Sequence, residues 1–243
     1  MNIGEEIRYI LNKIKKSEGQ RIHMKIRLLG VSLYTFNKNG AELLAILNRF
    51  EKDTAFAMEL MSAPKRDGKF ETTLDEVSRL FHNYLAASMT LVDHTRKFYQ
   101  DEYQGEHFDE EYNEMKNKTF VENSLAGFIK DIRNYSVHRA LPITGATLTY
   151  SRDKNPSHTI YLLKSTLLDW DGWKSGGKEF LQKQDDKISL ITLVDDYSRL
   201  VQDFHNWFKK RQMDIHKDAL IELEILNQKK SELTFKVQER FNN

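Results

Sequence analysis

The chain has no cysteine, only three prolines among 243 residues and no long apolar run. Each shortage closes off a class of protein. Without cysteine there is no disulfide scaffold, no thiolate zinc site, no iron–sulfur cluster and no thiol nucleophile. A cysteine-free chain also fits a reducing compartment. No apolar stretch approaches the ~18 residues of a membrane span. Net charge is nearly absent too: 37 Lys and Arg face 36 Asp and Glu, leaving +1. No whole-chain electrostatic argument therefore points to nucleic acid or an anionic membrane, and any such binding needs a local patch. The N-terminus, Met1-Asn2-Ile3-Gly4-Glu5-Glu6, carries acids where a secretory signal carries bases, and it lacks glycine at position 2. The expectation is a cytoplasmic protein that does not engage a membrane.

What is present favours helices. Charged residues make up 30% of the chain and hydrophobic ones 40%, which suits long amphipathic helices better than a turn-rich β fold. At ~150 residues per domain the length allows one large or two small domains. A first helix is expected from about Ile3 to Glu18, with Ile7, Ile10, Leu11 and Ile14 on one stripe and Gly19 as its stop. Residues 20–36 fit helix and short strand alike. Asn39-Gly40 opens a further helix reaching about Met61, and Pro64 to Gly68 read as a loop. Thr72 or Thr73 is the expected N-cap of a long helix ending near Tyr99. Asp101–Glu114 holds seven acidic residues and no Lys or Arg, the signature of a solvated loop and helix start. One helix is then expected over about 107–140, with Val121, Leu125, Phe128, Ile129, Ile132 and Tyr135 facing the core, and Pro142 forbids its continuation.

Beyond Pro142 the composition changes. Ala146–Tyr150 and Thr159–Leu163, separated by Arg152 to Ser157, predict a β-hairpin. Ser165 to Asp169 opens a short helix, and Gly172, Gly176 and Gly177 interrupt the next stretch. Helices are expected over Ile188–Lys210 and about Asp214–Phe241. The predicted fold is mainly α: one domain over 1–243, an up-and-down bundle of five to six helices with a small β-hairpin inserted at about 145–163.

Several chemical signals weaken on inspection. Gly172 to Glu179 matches most of a phosphate-binding glycine loop, but no Ser or Thr follows Lys178 and no buried strand precedes the loop. None of the eight histidines has Glu three residues before it, which removes the di-iron bundle pattern. With no other metal spacing visible, no metal and no cofactor is expected. Trp170 and Trp173 are expected to clamp a glycine-containing loop. The stretch Phe204 to Arg211 reads as core followed by a basic helix end.

The strongest remaining signal is Ile132-Arg133-Asn134-Tyr135-Ser136-Val137-His138-Arg139. An Arg separated from a following His by four to six residues is not specific alone: with 13 Arg and 8 His, roughly 1.3 such pairs arise by chance. The pairs Arg152/His158, Arg199/His205 and Arg211/His216 share it. Asn134 directly after Arg133, near the end of a long helix, sets this pair apart. Asn134 and His138 are four apart and share a helix face, which Asp131 and Gly127 extend. Gly127 would admit a second helix closely. Histidine suits proton transfer near neutral pH, and arginine suits a developing negative charge on phosphate.

This segment resembles the Arg-x(4–6)-His motif of the HEPN superfamily, with Arg133 as its Arg, Asn134 as its polar residue and His138 as its His. The resemblance implies a helical bundle and metal-independent RNA cleavage. His138 would assist attack by a 2′-hydroxyl, leaving a 2′,3′-cyclic phosphate, with Arg133 and Asn134 on the phosphate. Lys130, Tyr135 and Arg139 are the expected substrate-binding neighbours, since Lys130, Arg133, His138 and Arg139 make the region locally basic. The family pattern further implies RNA as substrate, a homodimer that brings two motifs together, and a toxin or phage-defence role with a nucleotidyltransferase-like antitoxin as partner. The alternative within the family is a non-catalytic helical module for protein assembly or nucleotide binding.

Overall fold

The computed structural model describes residues 2–62, 67–142, 144–151 and 154–242. The chain is mainly α-helical, with one small antiparallel sheet. The helices are α1 (Ile3–Lys16), α2 (Glu18–Lys52), α3 (Thr54–Ser62), α4 (Lys69–Glu102), α5 (Asp109–Lys116), α6 (Ser124–His138), α7 (Lys164–Leu168), α8 (Ser175–Lys183), α9 (Leu190–Ile215) and α10 (Lys217–Asn242). A π-helical turn, Asn117–Val121, separates α5 from α6. The strands are β1 (Thr144–Ser151), β2 (Lys154–Leu163) and β3 (Lys187–Ser189).

Ten α-helices among the described residues exceed the five to six expected, and the breaks at Ser17, Asp53, Asn117 to Asn123 and His216 carry neither proline nor glycine. Gly19 does not stop the first helix. Ser17 does: it turns extended, and its hydroxyl accepts from the Gln20 N–H at 3.1 Å, capping α2. The predicted start at Asn39-Gly40 lies inside the 35-residue α2. Asn39 keeps the helix intact by donating its side-chain amide to the Thr35 carbonyl, one turn back. Gly40 sits there because a Cβ would lie 3.2 Å from the Tyr84 ring. Asp53 then breaks the chain, its carboxylate accepting from the Phe56 N–H at the start of α3.

Thr72 and Thr73 are not N-caps. Their hydroxyls donate to the carbonyls of Gly68 and Lys69 within α4, which starts directly after Gly68 at φ +60°. Pro64, Lys65 and Arg66 of the predicted loop, and Arg152-Asp153 of the predicted turn, lie outside the described residues. The helix expected over 107–140 is split, because Asn123 caps α6 by accepting from the Leu125 and Ala126 N–H groups. Val121, placed on the core stripe by period, is exposed in the π-turn, whereas Phe128, Ile129, Ile132 and Tyr135 are buried as expected. The acidic 101–114 stretch is less solvated than its charge suggests: Tyr103, Phe108 and Tyr112 are buried, with Tyr112 stacked on Tyr99 at 3.9 Å.

The hairpin forms as β1–β2, and β3 adds to β2 in the order β1-β2-β3. His158, Ile160 and Leu162 are buried while Thr159, Tyr161 and Leu163 are half-buried, the two-residue period of a strand with one face inward. Ile188, predicted at a helix start, instead pairs with Leu162.

The Cα trace groups into two compact units, Met1–Val31 with His205–Asn243, and Ser32–Phe204. The first packs α1 against α10 through Ile10, Ile14, Leu223 and Leu233, edged by Ile7 and Leu226. The second has an aromatic centre. Phe36 and Tyr84 lie 5.0 Å apart, Tyr197 meets both edge-on, and the Tyr84 hydroxyl bonds Ser198 at 2.9 Å. Burial pushes the Tyr84 and Tyr197 hydroxyls to stay protonated well above the ordinary tyrosine range.

Candidate functional site

Helix α6 positions every residue of the candidate motif. Its buried face is Phe128, Ile129, Ile132 and Tyr135. The Phe128 ring stacks on Trp173 at 5.3 Å and on Phe180 at 4.6 Å. Trp173 donates its indole N–H to the Leu167 carbonyl at 2.7 Å, and the Trp170 ring stands edge-on to Tyr135 and Trp173. The two tryptophans thus hold the Gly172 loop against α6. A Cβ on Gly172 would lie 2.2 Å from the Trp170 ring.

A second face of α6 meets α8 through glycines. A Cβ on Gly127 would stand 2.9 Å from the Gly176 Cα, so the helices approach backbone to backbone. One turn later, Asp131 is buried at 2% exposure, and its carboxylate accepts the Lys174 N–H at 2.8 Å. A Cβ on Gly177 would fall 2.4 Å from the same Asp131 oxygen. Lys174 is the N-cap of α8 and supplies no side-chain cap. Asp131 therefore provides the negative charge that the α8 N-terminus favours. Where a phosphate-binding loop would hold its anion, this chain holds its own carboxylate.

Asp131→Ala is expected to destabilise the protein by about 2 kcal/mol, since it leaves the Lys174 N–H without its partner and uncaps α8. Urea unfolding followed by tryptophan fluorescence reads the loss, and an unchanged midpoint would refute the capping role.

The motif residues occupy the remaining surface. Arg133 and Asn134 are half-buried and touch, with the Arg133 Nη1 3.4 Å from the Asn134 Oδ1. His138 is exposed as the last residue of α6. Lys130, Asn134 and His138 follow one another at four-residue intervals, so they form a slowly turning stripe. Lys130 is exposed. Tyr135 is buried under Trp170 and Trp173, so its ring is taken up by packing. Arg139 is exposed, donates to the Asp169 carbonyl at 2.9 Å and lies 5.8 Å from the Tyr135 ring, which ties the end of α6 to the segment after α7.

The accessible set is thus Arg133, Asn134 and His138 with Lys130, while Tyr135 and Arg139 support them. Asp131 is the contributor that sequence reasoning left as a face residue. The signal for its capping role was the absence of a capping side chain before Ser175. Among the described residues, no group of three or more His, Asp or Glu is placed to hold a metal ion, and no helix is long and apolar enough to cross a membrane. A groove of about 560 Å³ between α2, α3 and α4, lined by Glu42, Arg49, Phe56, Glu76 and Arg79, contains none of the motif. Comparison with known proteins finds no matching family model, no matching curated protein and no matching solved structure.

Proposed function

We propose that the chain is a HEPN-like, metal-independent endoribonuclease. The observation that carries this reading is the contact of Arg133 with Asn134 one turn before a solvent-exposed His138, beside the cation Lys130. In the proposed reaction the neutral imidazole of His138 takes the proton of a ribose 2′-hydroxyl. The 2′-oxygen attacks the adjacent phosphorus, and the bond from phosphorus to the 5′-oxygen breaks. The leaving 5′-oxygen takes a proton from water or from the imidazolium of a second copy's motif. Arg133 and Asn134 bind the non-bridging oxygens, where charge accumulates. The product is a 2′,3′-cyclic phosphate. The same reading proposes a homodimer, a cytoplasmic toxin or phage-defence role, and a nucleotidyltransferase-like antitoxin.

The test is cleavage of a fluorophore–quencher RNA by the purified chain in EDTA. Wild-type protein is expected to cleave. His138→Ala is expected to reduce the rate at least ~100-fold, the lower range for losing a general base, without moving the thermal midpoint, because His138 is exposed. A second reading is a non-catalytic helical module for protein assembly or nucleotide binding. It is favoured by the His138 ring, which has no orienting hydrogen bond among the described residues. A wild-type chain inert on varied RNAs and harmless to growth would select it.

A further inference from the structure

The near-zero net charge is segregated by unit. Residues 1–31 and 205–243 hold 15 Lys and Arg against 9 Asp and Glu, a net +6, while 32–204 hold 22 against 27, a net −5. Within the first unit the excess is concentrated again. Two helix breaks meet there: His216, after α9, lies 3.2 Å from Glu18 at the start of α2, and a Cβ on Gly19 would fall 2.1 Å from the Ala219 carbonyl of α10. Residues 13–25 and 209–218, which flank this elbow, hold nine Lys and Arg against three acids. That is +6, the whole excess of the unit. All nine lie within about 11 Å of a break along their helices.

Two of the three local acids are already engaged, Glu18 with Arg21 and His216, and Asp214 with Arg211. Lys15, Lys16, Lys209 and Lys210 are exposed and make no ion pair among the described residues; Lys13 is exposed and lies 5.3 Å from the Tyr9 ring. Dipole compensation accounts for Lys13, Lys15 and Lys16 in the last turn of α1. It does not account for Lys209 and Lys210, because the last turn of α9 holds no base.

We infer that this elbow binds the phosphate backbone of single-stranded RNA. The inference rests on the RNA substrate proposed above and assigns backbone capture to a different unit from the one that holds Arg133 and His138. Lysines are point charges without fixed geometry, so they grip phosphates without reading bases. Exposed apolar residues also lie nearby, Met24, Leu28 and Val31 at helical spacing on α2 and Met213 and Ile215 on α9, so a lipid surface is the competing occupant that the test must exclude.

The probe is a fluorescein-labelled 20-nucleotide 2′-O-methyl oligouridylate, which has no free 2′-hydroxyl and survives any ribonuclease activity. Its anisotropy is titrated with the full chain between 50 and 200 mM NaCl. The wild type is expected to bind, with a steep loss on adding salt. Replacing Lys13, Lys15, Lys16, Lys209 and Lys210 by Ala is expected to weaken binding at least tenfold at 50 mM. It should also lower the salt slope by up to about 3.5, at ~0.7 per phosphate contact. Replacing the exposed Lys38, Lys52 and Lys118 of the other unit by Ala is expected to change binding less than twofold. The inference is overturned if the wild type does not bind, if the elbow variant binds like the wild type, or if the chain binds phosphatidylserine vesicles and leaves the RNA free. The two readings fail separately. RNA cleavage without elbow binding removes this inference alone, and elbow binding with no cleavage removes the ribonuclease alone.

Discussion

Gly127→Val is expected to destabilise the protein by about 3 kcal/mol, at the upper end for forcing atoms into a packed contact. The obstacle is backbone. A Cβ on Gly127 meets the Gly176 Cα at 2.9 Å and the Gly176 carbonyl carbon at 3.1 Å, and no rotamer change relieves either contact. Separating α6 from α8 would also pull Asp131 from the Lys174 N–H and loosen Trp173 from Phe128. The loss should therefore appear in tryptophan fluorescence as well as in helical circular dichroism during urea unfolding. Gly30→Ala is the control. Gly30 is exposed inside α2, and a Cβ there meets nothing within 4 Å. Only helix propensity changes, and stability should rise by roughly 0.5–1 kcal/mol. Equal and small effects from the two substitutions would contradict the close contact of α6 with α8.

Acidification is expected to weaken the protein through His205. This ring is buried in α9 at 7% exposure, and burial pushes its pKa down from 6.5 to about 4. The folded chain keeps the ring neutral, while the unfolded chain protonates it below about 6.5. Stability from this residue is thus complete above pH 6.5 and falls as pH drops towards 4. The loss is about 1.4 kcal/mol per pH unit, or about 2 kcal/mol by pH 5. His205→Phe retains a ring of similar shape without the proton. Its unfolding free energy from urea titration should change by about 2 kcal/mol less than the wild type's between pH 7.5 and 5. Equal pH dependence in the two proteins would assign the acid sensitivity to another group.

Legibility in the sequence followed the range of the interaction involved. Apolar stripes are local, and those of α1, α4, α6 and α9 were readable because core residues recur every three or four positions, although Leu11, expected on the α1 stripe, is exposed. The exact breaks were less so: the first helix and the last two were separated within a few residues of where they divide, but Asp53 was missed, because Ser17, Asp53 and His216 each interrupt helices with a single ordinary residue. Whether such a residue caps or continues a helix depends on where its side chain bonds. Ser17 and Asp53 cap, whereas Asn39, chemically similar, bonds back to Thr35 and leaves α2 running. Glycine was equally ambiguous. Gly127 was readable as a point of close approach, but Gly19 read as a stop and proved to be a contact with α10. The three-residue β3 is invisible locally because its only support is β2. At the candidate site Arg133, Asn134 and His138 stand close in sequence and were legible together. The Asp131 cap joins residues 43 positions apart and was not.

The division into units has a consequence for how the chain is made. The segment Ser32–Phe204 is continuous, so all its contacts are available once residue 204 has left the ribosome. The other unit is assembled from both ends of the chain. Ile10 and Ile14 are synthesised some 200 residues before Leu223 and Leu233, their partners. At ~5–20 residues per second, α1 therefore waits at least ~10 seconds for α10. During that delay Lys13, Lys15 and Lys16 exist without the second half of the elbow. Closure then waits for α10, whose Leu223 and Leu233 complete the cluster with Ile10 and Ile14. The basic elbow joins residues 13–25 to residues 209–218, so it cannot exist while synthesis is still within the continuous unit.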